Sequence, residues 1–209
     1  MVARESVPYL LVSAVLGILF YAVLPALAVL PAVAFLFILF FFRNPGRQIP
    51  KNDTHVLSPA DGRVQAIETI DYEDTFIQGK AVRISIFLSM LNVHFNRSPI
   101  NGKIIYTVYR PGKYLPAFKS HASGLNERNT VGIENSQMRV LVHQITGFVA
   151  RRIVCYPQKG DRLEQGQVFG LIKFGSCTEI LVPADVKVLV REGQKVTAGI
   201  TVLGVLEDD

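Results

Sequence analysis

The chain has 209 residues, 49% of them hydrophobic, with a net charge of +5 and a mean hydropathy of +0.30. That is too apolar for an ordinary water-soluble domain, and long enough for one domain plus a small appendage. The basic residues are scattered and lack the aromatic interleaving of a nucleic-acid binder, so no nucleic-acid partner is expected and the charge reads as membrane-facing or solvated.

From Val7 to Phe42 no charged residue occurs. One helix over that run would be about 54 Å long, against a bilayer core of roughly 30 Å. Pro25 and Pro31 interrupt the run near its middle. The pattern therefore predicts a membrane-anchoring hairpin over residues 1–42, two helices of about 16–18 residues each, either spanning or re-entrant. A signal peptide fits less well, because the apolar run is too long and no small-x-small cleavage site precedes the polar sequence. Arg4 before the hairpin and Arg43, Arg47 and Lys51 after it place both ends on the cytoplasmic side of the cell membrane. The same cations suit anionic headgroups.

Residues 43–53, "RNPGRQIPKND", form a Pro/Gly/charge-rich linker, and a β-rich domain is expected over 54–209. Its runs "GRVQAIETI" (62–70), "AVRISIFLS" (81–89), "GKIIYTVYR" (102–110) and "MRVLVHQITGFV" (138–149) have the Val/Ile/Phe-rich alternation of half-buried strands. "RRIVCYP", "QVFGLIKFG", "TEILVP", "DVKVLVR" and "ITVLGVLE" continue the pattern. Residues 118–129, "FKSHASGLNERN", read as a polar loop. "GDRLEQGQVFG" (160–170) and "GQKVTAGITVLG" (193–204) form a weak repeat, with Gly at the first and seventh places and an apolar strand after. Such Gly-turn-strand hairpins occur in barrel-sandwich domains, so the fold class expected is mostly β, a compact barrel or sandwich of two similar halves behind the helical hairpin. Cys155 and Cys177 lack a CxxC spacing and read as free thiols. His55, His94, His121 and His143 are too dispersed to announce a metal site, and none is expected.

Three stretches bear on chemistry. In "SPADGRV" (58–64), Asp61-Gly62 is a turn signal stiffened by Ser58-Pro59. In "LNVHFNRSPINGKI" (91–104), His94 stands at a strand end ahead of a turn, with the side chain best suited to proton transfer near neutrality. In "FGSCTE", the Ser176 hydroxyl adjoins the Gly175 carbonyl. Glycine permits unusual backbone angles and leaves its carbonyl uncrowded, so the hydroxyl of a strained turn can attack it, given a base and an oxyanion donor.

Taken in order, the apolar hairpin, "SPADG", "VHFNRSPINGK", "NERN", "QITGFVARRIVCY" and "GDRLEQGQVFGLIKFGS" resemble the phosphatidylserine decarboxylase family in its short prokaryotic form, most densely over residues 43–206. The resemblance implies a proenzyme that cuts itself between Gly175 and Ser176 into a β chain (1–175) and an α chain (176–209) that stay associated. Ser176 would become a covalent pyruvoyl group, whose ketone condenses with the amine of phosphatidylserine as a Schiff base and takes up the electrons released as CO2 leaves. Phosphatidylethanolamine would follow on protonation and hydrolysis. An ether-lipid analogue with the same headgroup would serve equally, and a homo-oligomer is left open.

Asp61 matches the family's aspartate in its Asp–His–Ser self-cleavage arrangement. Longer members carry H-x-x-H before the Pro-x-Asn-Gly turn; here His94 falls on the first histidine and Arg97 on the second. Three alternatives follow: His94 serves both steps, Asp61 acts without it during cleavage, or His121 or His143 folds in. Cys177 stands where longer members have threonine. Arg97 and Arg128 are candidate substrate-binding residues, and Arg43, Arg47 and Lys51 are either anchoring or phosphate-binding. Two other classes compete. A biotinyl or lipoyl carrier would need a modified lysine at a hairpin tip, and Lys173 lacks the flanking pattern. A non-catalytic membrane-anchored β-domain would remain one uncut chain.

Overall fold

The computed structural model describes residues 2–72, 76–77, 79–115, 122–148, 152–173 and 176–207. It divides at Gly46/Arg47, inside the Pro/Gly-rich linker. The first unit is a helical hairpin: α1 (Val7–Val23), a 3-10 turn over Pro25–Ala28, and α2 (Val29–Phe41). Leu24, extended ahead of Pro25, breaks the helix, as a residue before proline tends to. Pro31 sits in the first turn of α2, where no helical hydrogen bond is lost. The ends close on each other through Ala3 N–H donating to Phe42 O at 2.9 Å. Helical residues Arg4–Val23 are long and apolar enough to cross a bilayer; Pro25–Phe41 is shorter.

The second unit is β-rich. Its strands are β1 (His55–Leu57), β2 (Gly62–Tyr72), β3 (Gly79–Leu88), β4 (Phe95–Arg97), β5 (Gly102–Arg110), β6 (Arg128–Glu134), β7 (Arg139–Ile145), β8 (Arg152–Cys155), β9 (Arg162–Leu163), β10 (Val168–Lys173), β11 (Ser176–Pro183), β12 (Val186–Val188), β13 (Lys195–Val196) and β14 (Val202–Leu206). One helical turn, Ala122–Leu125, precedes β6. Part of the loop expected over 118–129 is therefore regular: Arg128 and Asn129 open a strand.

The main sheet runs β13-β2-β3-β11-β7-β6-β5-β9, flanked by two three-stranded sheets, β1-β14-β12 and β4-β10-β8. Alternation along β11 sorts its side chains into two sets. Ile180 and Val182 join Ile84, Ile86, Leu88 and Val142 in the large core, so Ser176 and Thr178 share that inner face. Cys177 packs with Ile145 and Phe87 on the outer face, and Leu181 lies there in a second cluster with Leu141 and Phe76.

The Gly-rich repeat is a structural one. Gly193 N–H and Gln194 O pair with Val64, as Gly160 N–H and Asp161 O pair with Ile104. Gly199 N–H donates to Ser58 O and Gly166 N–H to Ser98 O, each at 2.8 Å. The partners are Ser58-Pro59-Ala60-Asp61-Gly62 and Ser98-Pro99-Ile100-Asn101-Gly102, whose serine hydroxyls close matching turns onto Ala60 O and Ile100 O. Each half thus joins a Ser-Pro turn to a glycine hairpin.

Gly166 and Gly193 both take positive φ, +77° and +80°, which costs an L-residue about 1–2 kcal/mol. A Cβ at Gly193 meets open space, whereas one at Gly166 falls 2.6 Å from the Ile49 side chain. Gly193→Ala should therefore lower stability by about 1–2 kcal/mol, and Gly166→Ala by more, as read by urea unfolding.

Candidate active site

The register of the main sheet brings several strand ends together. Ser176 pairs with Leu88 and Cys177 with Ile145, Ile145 pairs with Arg128, Arg128 with Arg110, and Arg63 with Phe87. The beginnings of β2, β6 and β11 and the ends of β3, β5 and β7 lie on one edge, called here the Ser176 end. Ser176 is fully buried, and among the described residues its hydroxyl has no hydrogen-bond partner. It is a strand residue, not a solvent-facing turn. Gly175 lies outside the described residues.

His94 reaches this end by a parallel route. The main sheet hands the chain to the small sheet twice: from Leu88 through 89–93 to His94, and back from Lys173 through 174–175 to Ser176. Leu88 and Ser176 are paired at one end of these links; Ile172 N–H donates to His94 O, 3.1 Å, at the other. His94 is buried and its Nδ1 lies 3.0 Å from Asn92 O. A carbonyl only accepts, so Nδ1 carries a proton and donates it to Asn92 O.

A buried polar chain fixes the inner face below Ser176. Asn96 Nδ2 donates to Thr178 Oγ1 at 3.0 Å, Gln144 Nε2 to Asn96 Oδ1 at 2.9 Å, and Asn129 Nδ2 to Gln144 Oε1 at 2.9 Å. The chain locks β4 across β11, β7 and β6, and sets His94, two residues before Asn96, on the same side of its ladder.

Asp61 is engaged elsewhere. Its carboxylate takes a two-pronged ion pair from Arg47, 2.7 and 2.8 Å, and the Ala198 N–H at 2.8 Å. Neither His94 nor Ser176 is among its partners. Arg97 donates to Gly166 O at 2.9 Å, and burial together with the neighbouring Arg47 charge pushes its pKa down. It belongs to the Asp61 cluster, on the face of β4 away from His94. Arg128 pairs with Ile145 and, through it, with Cys177, which puts it on the sheet face opposite Ser176. His143 also lies on that face, 2.8 Å from Thr130 Oγ1; His121 lies outside the described residues. Lys51 pairs with Glu164 at the surface, and the Arg43 guanidinium rests over the Phe40 ring. Cys155 and Cys177 are free thiols, and burial pushes the Cys177 thiol well up, disfavouring the thiolate. Among the described residues no cluster suited to a metal ion occurs.

A profile of the phosphatidylserine decarboxylase family matches residues 34–204. The chain belongs to that family. Relatives named phosphatidylserine decarboxylase proenzyme include those of Carboxydothermus hydrogenoformans, 52% identical over 96% of this chain and 94% of its own length, and Symbiobacterium thermophilum, 47% over 97% and 94%. A third, from Chlorobium phaeobacteroides, is 41% identical over 93% and 91%. The resemblance drawn from the motifs thus holds across almost the whole chain.

Sequence reasoning passed over Glu127 and Thr146. Thr146 N–H donates to Glu127 O at 3.1 Å, which continues the β6–β7 ladder one step past Arg128 and Ile145. Glu127, Thr146 and Ser176 therefore form one row on the inner face. The motif "NERN" held the signal, but choosing between Glu127 and Arg128 required the register.

The Arg47 and Asp61 side chains are 5% and 15% exposed. Removing one partner strands the other's charge, so Arg47→Ala should destabilise the domain by about 3–5 kcal/mol in urea titrations. Arg47→Ala combined with Asp61→Asn should recover part of that loss.

Proposed function

We infer that this chain is a self-cleaving, pyruvoyl-dependent decarboxylase of phosphatidylserine, acting at a membrane surface on the cytoplasmic side. The observation that carries the reading is Ser176: a buried serine, its hydroxyl without a partner, following the glycine where the family's motif is cut. A hydroxyl already hydrogen-bonded would lose that bond on attacking the Gly175 carbonyl; this one loses nothing. The position would suit a pyruvoyl group for the same reason: its formation removes the side-chain oxygen, which holds no hydrogen bond among the described residues, and puts the ketone on the α-carbon in place of the nitrogen. The group, once formed, supplies the electron sink that decarboxylation needs.

The protein's own residues do the rest. His94, its Nδ1 proton fixed on Asn92 O, offers Nε2 as the site's acid–base nitrogen and returns a proton to the substrate's α-carbon after CO2 leaves. Leu88 and Thr146 flank position 176 on the inner face, both fully buried, and exclude bulk water from the reacting atoms. The Asp61–Arg47 pair holds the turn at the start of β2, the strand that pairs with β3 beside Ser176.

The surface around that edge supports the lipid reading. Leu91 and Phe148 project from the loops after β3 and β7, 67% and 66% exposed, and Met90, Tyr114 and Leu125 are exposed beside them. Arg63, Arg110, Lys113 and Arg152 are exposed at the same end, while of the two acids flanking the strand ends, Asp61 is ion-paired and Glu127 buried. Apolar loops ringed by cations suit an anionic bilayer, and phosphatidylserine is itself anionic.

Two measurements test the reading. Intact mass spectrometry of the purified chain should find a fragment beginning at residue 176 with a blocked, ketone-bearing terminus, and Ser176→Ala should leave one uncut chain; an uncut wild-type chain that still released CO2 would sink the proposal. The sequence has no tryptophan, so Phe148→Trp makes a single probe in the full-length protein. Its fluorescence should be quenched by brominated lipid in anionic vesicles, whereas that of Gln137→Trp, in the turn between β6 and β7 at the far end, should not.

A further inference from the structure

The link that carries the chain from β3 to His94 is a tight turn fastened from two directions. Asn92 N–H donates to Ser89 O at 3.0 Å, which makes residues 89–92 a hydrogen-bonded β-turn with Met90 and Leu91 at its centre. The Asn92 side chain closes the same turn: its Oδ1 accepts the Ser89 N–H at 2.9 Å and the Ser89 hydroxyl at 2.6 Å. Asparagine suits the position because its short amide bonds readily to nearby backbone. Toward β2 the turn borders a cavity of about 520 Å³, lined also by Asp61, Arg63, Phe87 and Thr197. On that side the turn is held by its own hydrogen bonds, not by packing.

The carbonyl of Asn92 faces the other way and accepts the His94 Nδ1 proton at 3.0 Å. One residue thus makes three hydrogen bonds back to Ser89 and one forward to the imidazole. The small sheet fixes the His94 backbone, through Ile172 N–H on His94 O, and the turn fixes where the ring finds its acceptor. His94 is buried, whereas Met90 and Leu91 are 39% and 67% exposed. In the lipid reading above these two tip residues meet the bilayer. The same four residues therefore touch the membrane and seat the histidine, and a locked turn keeps motion at the tip from reaching the ring.

We propose that Asn92 is a positioning residue for decarboxylation: its side-chain amide locks the 89–92 turn and, through the Asn92 carbonyl, holds the His94 ring in the orientation that proton transfer needs. The proposal rests on the reading of His94 as the acid–base group of that step. Asn92 acts through His94, not on the reacting atoms. Orientation matters because a proton passes only between atoms within hydrogen-bond reach, and a displacement of about 1 Å can cost on the order of 100-fold in rate.

The test uses the full-length, self-cut protein on vesicles of phosphatidylserine and phosphatidylcholine, with CO2 release expressed per ketone-bearing chain so that incomplete cleavage does not enter. Asn92→Ala, which removes the accepting amide, should lower kcat by on the order of 10- to 100-fold and leave KM within a few-fold. Asn92→Asp keeps an accepting oxygen and should recover most of the rate. Ser89→Ala should lower kcat less, since the Ser89 N–H bond remains, and adding it to Asn92→Ala should cost nothing further. Thermal unfolding of the cut variants should stay close to wild type. A kcat for Asn92→Ala within a few-fold of wild type would overturn the proposal, as would equal losses for the Asp and Ala variants, which mark a merely structural role. If Asn92→Ala stays uncut, the decision passes to Ser89→Ala, where a lowered kcat supports the proposal and an unchanged one overturns it. His94→Gln releasing CO2 at the wild-type rate would remove the histidine reading beneath it. An inactive His94→Gln beside a normal Asn92→Ala would show that only the role of Asn92 is wrong.

Discussion

The backbone pairing of β11 on both sides is the constraint from which the rest of the domain follows. Ser176 opens a strand that pairs with β3 over its whole length and with β7 over most of it, fourth of eight in the main sheet. That register puts the serine on the inner face, in a row with Thr146 and Leu88, and holds it there whether or not it is covalently joined to residue 175. The segment after Ser176 is interleaved with the rest elsewhere too: β13 extends the main sheet beyond β2, and β14 lies between β1 and β12. A chain cut before Ser176 keeps these ladders. The proposed two-chain enzyme needs no covalent tie, because its smaller piece supplies a central strand and two further pairings.

The internal repeat shows what Asp61 does for the fold. Asp61 and Asn101 occupy equivalent points in two Ser-Pro turns, each backed by a glycine hairpin. Asn101 bridges Asp53 and Asn135; Asp61 bridges Arg47 and the Ala198 amide. In both halves the Asx residue ties a turn to neighbouring chain, a structural task. The half that carries Asp61 is distinguished by Arg47, the first residue of the β-rich unit, whose guanidinium neutralises the carboxylate. Its oxygens are already committed to the Arg47 guanidinium and the Ala198 amide.

Much of the scaffold was legible in the residues. The uncharged apolar run with its prolines predicts the helical hairpin, and alternation from Gly62 to Arg110 predicts β2, β3 and β5 closely. Strands of two or three residues, such as β4, β9 and β13, carry too little period to register; each is fixed by the longer strand it pairs with, β10, β5 and β2. The loop reading of residues 118–129 hid the start of β6 because "NERNT" has the composition of a turn; its strand character comes from the partner β7, not from its own propensity. The site was half legible for the same reason. Ser176 and His94 stand out by residue type and order. Which face a side chain takes depends on register, and register is non-local. The step from Arg128 to Glu127 is one residue in sequence and the whole thickness of the sheet in space.

A further consequence concerns where the uncleaved protein keeps its strain. The inner face carries a fully satisfied chain of amides, Asn129–Gln144–Asn96–Thr178, and directly beyond it the Ser176 hydroxyl, without a partner among the described residues. Satisfied buried networks rigidify, while unsatisfied groups raise the energy of the state that holds them. The amide chain fixes β4 over β11 and so denies the orphan atom any relaxation by backbone movement. Its cost is relieved only by chemistry at Ser176 or by solvent entering the row. The proposed self-cleavage gains from that order of construction, because the fold assembles first and the hydroxyl has no hydrogen bond among the described residues to hold it back.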